Sequence, residues 1–224
     1  MERISVAVPV GEIRLTADVA VPDEAQGLVL FAHGSGSGRN SPRNRFVAGV
    51  LNHSQMATVL IDLLTPDEEQ VDVRTAELRF DIPLLAQRLI GVVDWISGQP
   101  VLSDLGLGFF GASTGSAAAL IAAAQRPDIV KTVVSRGGRP DLAGASLKKV
   151  LAPTLFIVGG NDTVVLDLNH SAMTQLPRQG DHKLEIVAGA THLFEEAGAL
   201  EKVAALAADW FRRFLHDART APRQ

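Results

Sequence analysis

Six short apolar runs punctuate the chain: LVLFAH (28–33), ATVLID (57–62), LGLGFF (105–110), IVKTVVS (129–135), PTLFIVG (153–159) and KLEIVA (183–188). Runs so continuously apolar suit strands covered on both faces, which is the condition of a parallel sheet. Helix-period segments fall between them. Ser41 followed by Pro42 predicts an N-cap and first helical residue, opening a helix through Phe46 and Val50. Leu78, Ile82, Leu85, Leu89, Val92 and Ile96 form a stripe at steps of three and four within 74–97, in which Pro83 predicts a kink or a new start. Val203, Leu206, Trp210 and Phe214 give a final helix one apolar face, and the polar tail 217–224 is expected to fray. Ahead of all this, Ile4 to Val8 and Glu12 to Val19 alternate around Pro9, Val10 and Gly11, an antiparallel hairpin. The pattern predicts an α/β chain with a mostly parallel sheet of about eight strands and helices on both faces.

With 224 residues, 46% of them apolar, and no linker or repeat, the chain is read as a single domain over 1–224. The balance of 21 basic and 25 acidic residues, with no run of like charge, argues against nucleic acid or a membrane surface as partner. The absence of cysteine excludes disulfides, thiolate metal sites and a cysteine nucleophile. No metal is expected. The stretch MERISVAVPVGEIRLTADVAVP alternates charged and apolar residues and so predicts no secretory leader, making a cytoplasmic protein the expectation. The sequons at Asn52, Asn161 and Asn169 are then matters of chance, and a homodimer is left open.

GLGFFGASTG (106–115) fits two patterns. Gly106-x-Gly108-x-x-Gly111 has the spacing of a dinucleotide-binding turn, but Gly106 and Gly108 sit inside the apolar run. The acid at suitable distance, Asp128, precedes a strand instead of ending one. Those glycines are better explained by a helix packing closely on the sheet. Gly111-x-Ser113-x-Gly115 lies instead between a strand and the small-residue helix SAAALIAAAQ, the context of a turn that presents a nucleophilic serine.

A serine needs a base, and the base needs a group that fixes its tautomer. Asp162, in VGGNDTVV, and His192, in VAGATHLFEEAG, each follow an apolar strand and come in the order serine, aspartate, histidine. Asp141 and Asp167 compete with Asp162, which has the plainer role of helix cap open to it. Among the histidines, His33 precedes the serine, His53, His170 and His216 lie in helical surroundings, and His182 precedes a strand. Oxyanion donors are expected from the amide of Thr114 and from the HGSGSGRN loop, with Ser35 the first choice and Gly36 the alternative. That loop lacks the Lys-Ser/Thr ending of a phosphate-binding P-loop. Arg136 and Arg139, in SRGGRPD, are candidates for holding a substrate carboxylate, against the plainer reading that each pairs with a neighbouring acid.

Through FAHGSGSG, GASTG, the VGGND loop and GATHLFEE, the chain resembles the α/β-hydrolases, and within them the dienelactone-hydrolase-like branch. The resemblance runs from the hairpin to the last helix. It implies a lidless eight-stranded hydrolase acting on small-molecule esters or lactones without a cofactor. Dienelactone hydrolases proper have cysteine where this chain has Ser113, and a glutamate in the loop that here reads HGSGSG. The implied mechanism is therefore that of a serine esterase. A thioesterase on the same triad, or a ligand-binding protein of the same fold, is the alternative.

Overall fold

The computed structural model describes residues 3–215; the tail 217–224 and His216 lie outside the described residues. Strands β1 (Ile4–Val10) and β2 (Ile13–Ala20) make the hairpin around Gly11, whose φ of +59° closes the turn. Six further strands follow: β3 (Gly27–Ala32), β4 (Met56–Ile61), β5 (Leu107–Ala112), β6 (Val130–Arg136), β7 (Thr154–Gly159) and β8 (His182–Val187). They form one eight-stranded sheet in the order β1-β2-β4-β3-β5-β6-β7-β8. β1, β2 and β4 pair antiparallel and every later pairing is parallel, so β1 is the antiparallel edge and β2 lies one place in.

The helices are α1 (Pro42–His53), α2 (Pro66–Thr75), α3 (Ile82–Ser97), α4 (Thr114–Gln125), α5 (Thr163–Met173) and α6 (Ala199–Leu215). Alternate strand residues feed two cores. Leu28, Leu30 and Phe109 pack with α3 and α4 on one face, while Val29, Phe31 and Phe110 pack with α1 and α6 on the other. Both faces of the sheet are thus filled, which is why its strands read as unbroken apolar runs. Gly108 supplies the close approach expected of it: a Cβ there would stand 2.8 Å from the Phe211 ring on α6.

The stripe within 74–97 divides. Pro83 starts a helix, because Asp81 caps it through the Leu84 amide at 2.9 Å, and a single 3-10 turn, Leu78–Phe80, comes before. α2 lies upstream and escapes a search for apolar periodicity because it buries almost nothing. Its signal is TPDE: Thr65 accepts from the Glu68 amide and the Glu68 carboxylate accepts from the Thr65 amide, a capping box with Pro66 at the first position. Between β6 and β7 the chain forms only short 3-10 turns within Pro140–Lys149, broken at Gly144, so no large lid covers the carboxyl edge of the sheet.

Chain direction across the sheet reverses between β3 and β5, which are hydrogen-bonded neighbours with Ala32 level with Gly111. Parallel sheets build their sites at such a switch point. Here it sets the HGSGSG loop beside the GASTG turn.

Candidate active site

Ser113 joins β5 to α4 with φ +49° and ψ −123°, a left-handed conformation that side-chain-bearing residues rarely adopt. Its neighbours have to be glycine. A Cβ on Gly111 would lie 2.5 Å from Ser116 Cα, and one on Gly115 would lie 2.3 Å from the carbonyl oxygens of Ala32 and His33. The turn is held from both sides by the segment after β6: the Ser113 amide donates to the Arg136 carbonyl at 3.2 Å, and the Arg139 amide donates to the Ser113 carbonyl at 3.1 Å.

Asp162 occupies the N-cap position of α5, yet its side chain makes no capping bond. It accepts instead from His192 Nδ1 at 2.7 Å. That donation fixes the proton on Nδ1 and leaves Nε2 as the basic nitrogen. His192 stands against Gly137, where a Cβ would lie 3.5 Å from Nδ1, and Ser113 stands against Gly34, where a Cβ would lie 3.0 Å from Ser113 Cβ. No hydrogen bond joins Ser113 Oγ to His192 among the described residues. Such contacts are often long without substrate and tighten when it binds.

The competing residues are occupied elsewhere. Asp141 holds Arg139 in a forked pair at 2.9 and 2.7 Å, and Asp167 lies within α5. His33 is half-buried, with Nε2 accepting from the Leu63 amide at 3.0 Å and Nδ1 2.9 Å from the Gly34 carbonyl. Burial lowers its pKa, so it stays neutral and ties the loop after β3 to the loop after β4. His53 Nδ1 reaches the Gly49 carbonyl at 2.7 Å, and His182 Nε2 lies 3.2 Å from the Pro177 carbonyl.

Around the expected oxyanion position, the Ser35 amide donates to Thr114 Oγ1 at 2.9 Å. This bond fastens the HGSGSG loop to the first residue of α4. Gly36, the alternative, has φ +66°. The loop is clamped further along by Arg39, whose amide donates to Asp62 at 2.7 Å and whose guanidinium pairs with Asp62 and Asp18. Asp62 was not legible as part of the site; its only signal is its place just past β4.

The two arginines part company. Arg139 is neutralised by Asp141, the plainer role. Arg136 is buried and has no such partner among the described residues. Among the described residues no cluster of three potential ligands is arranged for a metal, and no helix is long and apolar enough to cross a membrane.

A family model described as PET hydrolase-like matches residues 98–221. The crystal structure of a dienelactone hydrolase from Anabaena variabilis is 55% identical, covers 96% of this chain and 98% of its own, and superposes with a TM-score of 0.93. Est1E from Butyrivibrio proteoclasticus, at 17% identity, shares the fold with a TM-score of 0.77 over 93% of this chain and 98% of its own. Two curated relatives from Mycobacterium tuberculosis, each named "Putative phosphoribosyl transferase", are 55% identical over 206 residues. That match takes in 92% of this chain and 45% of theirs, so the chain spans about half the length of these relatives.

Proposed function

Since the chain belongs to the α/β-hydrolases, in their PET hydrolase-like and dienelactone-hydrolase-like branch, we propose that it is a serine hydrolase cleaving carboxylic esters or lactones of small molecules. The observation that carries the reading is the 2.7 Å bond from His192 Nδ1 to Asp162, formed beside a serine in a strained strand-to-helix turn. His192 Nε2 takes the proton of Ser113 Oγ as the oxygen attacks the carbonyl carbon. Asp162 holds the imidazole in the required tautomer and stabilises the imidazolium that forms. The leaving alkoxide receives that proton, and a water activated by the same nitrogen then releases the acid.

The negative oxygen of the tetrahedral intermediate needs amide donors, each worth about 3 to 4 kcal/mol. The Thr114 amide, at the amino end of α4, is the first. The Ser35 amide is the second: as substrate enters, it exchanges the Thr114 hydroxyl for the oxyanion. The transferase name is said of proteins more than twice as long as the matched segment, and the present reading rests on residues this chain itself carries.

Labelling with a serine-directed fluorophosphonate tests the proposal. Wild type is expected to be labelled at Ser113, and Ser113→Ala and His192→Ala to lose both the label and the hydrolysis of simple esters. A wild-type protein that takes no label would make the fold a ligand-binding one here, and a Ser113→Ala protein that keeps its turnover would remove Ser113 as the nucleophile.

A further inference from the structure

Arg136 ends β6 with its side chain on the face opposite Ser135. The Ser135 hydroxyl bonds Ser116 of α4 at 2.6 Å, whereas the Arg136 guanidinium turns to the α1 and α6 side, 5.8 Å from the centroid of the Phe194 ring. The residue is 7% exposed. Its Nε is buried without a hydrogen-bond partner, and no ion pair among the described residues includes it. Burial, and then the like charge of Arg43, push its pKa down to about 10, so it still carries its proton at neutral pH. A buried cation without a carboxylate is strongly unfavourable, and stacking on one aromatic ring does not offset it.

Arg43 shares the buried, unpartnered Nε but is itself only partly buried. It follows the Ser41 cap and Pro42 in the first turn of α1, where no acidic residue offsets the positive end of the helix. Glu195, 67% exposed, reaches Arg43 Nη1 only at 3.6 Å. Arg43 shares with Ser35 and Gly36 the lining of an open groove of roughly 450 Å³, in which Arg39 as well as the carboxylates of Asp62 and Glu69 also take part. Arg136, for its part, accepts the Ser113 amide through its carbonyl, and the Phe194 ring under its guanidinium lies two residues past His192, next to the Glu195 that meets Arg43.

We propose that Arg136 and Arg43, with the amino end of α1, form a receptor for a phosphate group borne by the ester that Ser113 attacks. The proposal rests on the hydrolase reading above. Two guanidinium groups and a helix terminus suit a phosphate dianion; a carboxylate is satisfied by a single fork. Glu195, at the solvent rim, is the carboxylate that the phosphate displaces from Arg43. Arg139, already forked to Asp141, takes no part.

Two measurements test the receptor separately from the catalysis. The first needs no turnover: thermal unfolding of Ser113→Ala protein in inorganic phosphate, against chloride of equal ionic strength. Phosphate is expected to raise Tm by several degrees. The rise should be lost in Arg136→Gln and in the half-exposed Arg43→Ala, and kept in Arg212→Ala, which removes the same charge from the far surface of α6. No rise in Ser113→Ala protein, or an equal rise in the Arg43 variant, overturns the receptor. The second compares wild-type kcat/KM for three esters of one acyl group, whose alcohols carry a phosphate, a carboxylate or a neutral hydroxyl. The phosphate ester is expected to lead by about tenfold or more, through KM, and Arg43→Ala to erase the lead. A carboxylate ester that matches or leads the phosphate ester overturns the assignment. A phosphate-dependent rise in Tm with no ester turned over leaves the receptor standing and removes the hydrolase reading instead.

Discussion

Asp162 stands where a helix cap would stand, yet it spends its carboxylate on His192 and leaves the start of α5 without a side-chain cap. A stabilising interaction has been given up to orient an imidazole. Asp162→Asn is therefore expected to lower kcat by about 10⁴, because the amide presents a hydrogen donor or a reversed tautomer to Nδ1. Its Tm should stay close to wild type, read by thermal unfolding beside the steady-state assay. The loops bearing Ser113, Asp162 and His192 were legible because each directly follows an apolar strand, and the glycines flanking Ser113 betray the crowding around it. Arg43 was not legible. Its charge lies near Arg136, a residue far away along the chain, and no local pattern encodes that meeting. Arg136 and Arg139 looked alike in sequence; the structure separates them through Asp141, two residues beyond Arg139.

The same contrast holds among the helices. α3 and α6 were legible from their apolar stripes, since each buries one face against the sheet. α2 was not, since it is fixed by charge. Burial alone would raise the pKa of Glu68, but hydrogen bonds from Arg88 and from the Thr65 amide outweigh it and hold the carboxyl below its ordinary value. Asp72 behaves likewise: burial is outweighed by the Arg79 amide and side chain and by the Leu78 amide. Depressed carboxylates contribute stability above their unfolded pKa and lose it as pH falls through the folded value. Residues 66–80 are thus expected to loosen first on acidification below about pH 4. Amide hydrogen exchange read along the chain checks this. Protection lost from α2 and the 3-10 turn while β5 and α4 remain protected is the expected result, and uniform loss would contradict it.

Taken entire, the molecule is two apolar layers pressed on one sheet, and α6 closes the second of them. Phe211 fills the gap left by Gly108, and Trp210 donates to Thr132 Oγ1 at 2.8 Å. Phe211→Ala is expected to cost about 3 to 5 kcal/mol, a large part of the stability of an ordinary domain. A urea titration checks it, the midpoint falling while the transition stays single. The sheet order was only half readable in advance. Apolar runs reveal strands buried on both faces, but which strands are neighbours depends on crossovers that leave no trace in composition.

β6 joins these parts. Its Thr132 accepts from Trp210 and donates to the Pro153 carbonyl, its Ser135 meets α4, and the carbonyl of Arg136 receives the amide of Ser113. Those ties reach both layers, the next strand and the nucleophile at once. Variation therefore has unequal freedom along this chain. The loops at the carboxyl edge can be rewritten one at a time, each touching a single function, while a change in β6 is felt everywhere together. A lineage under changing demands would keep this strand nearly constant and write its history in the segments around it.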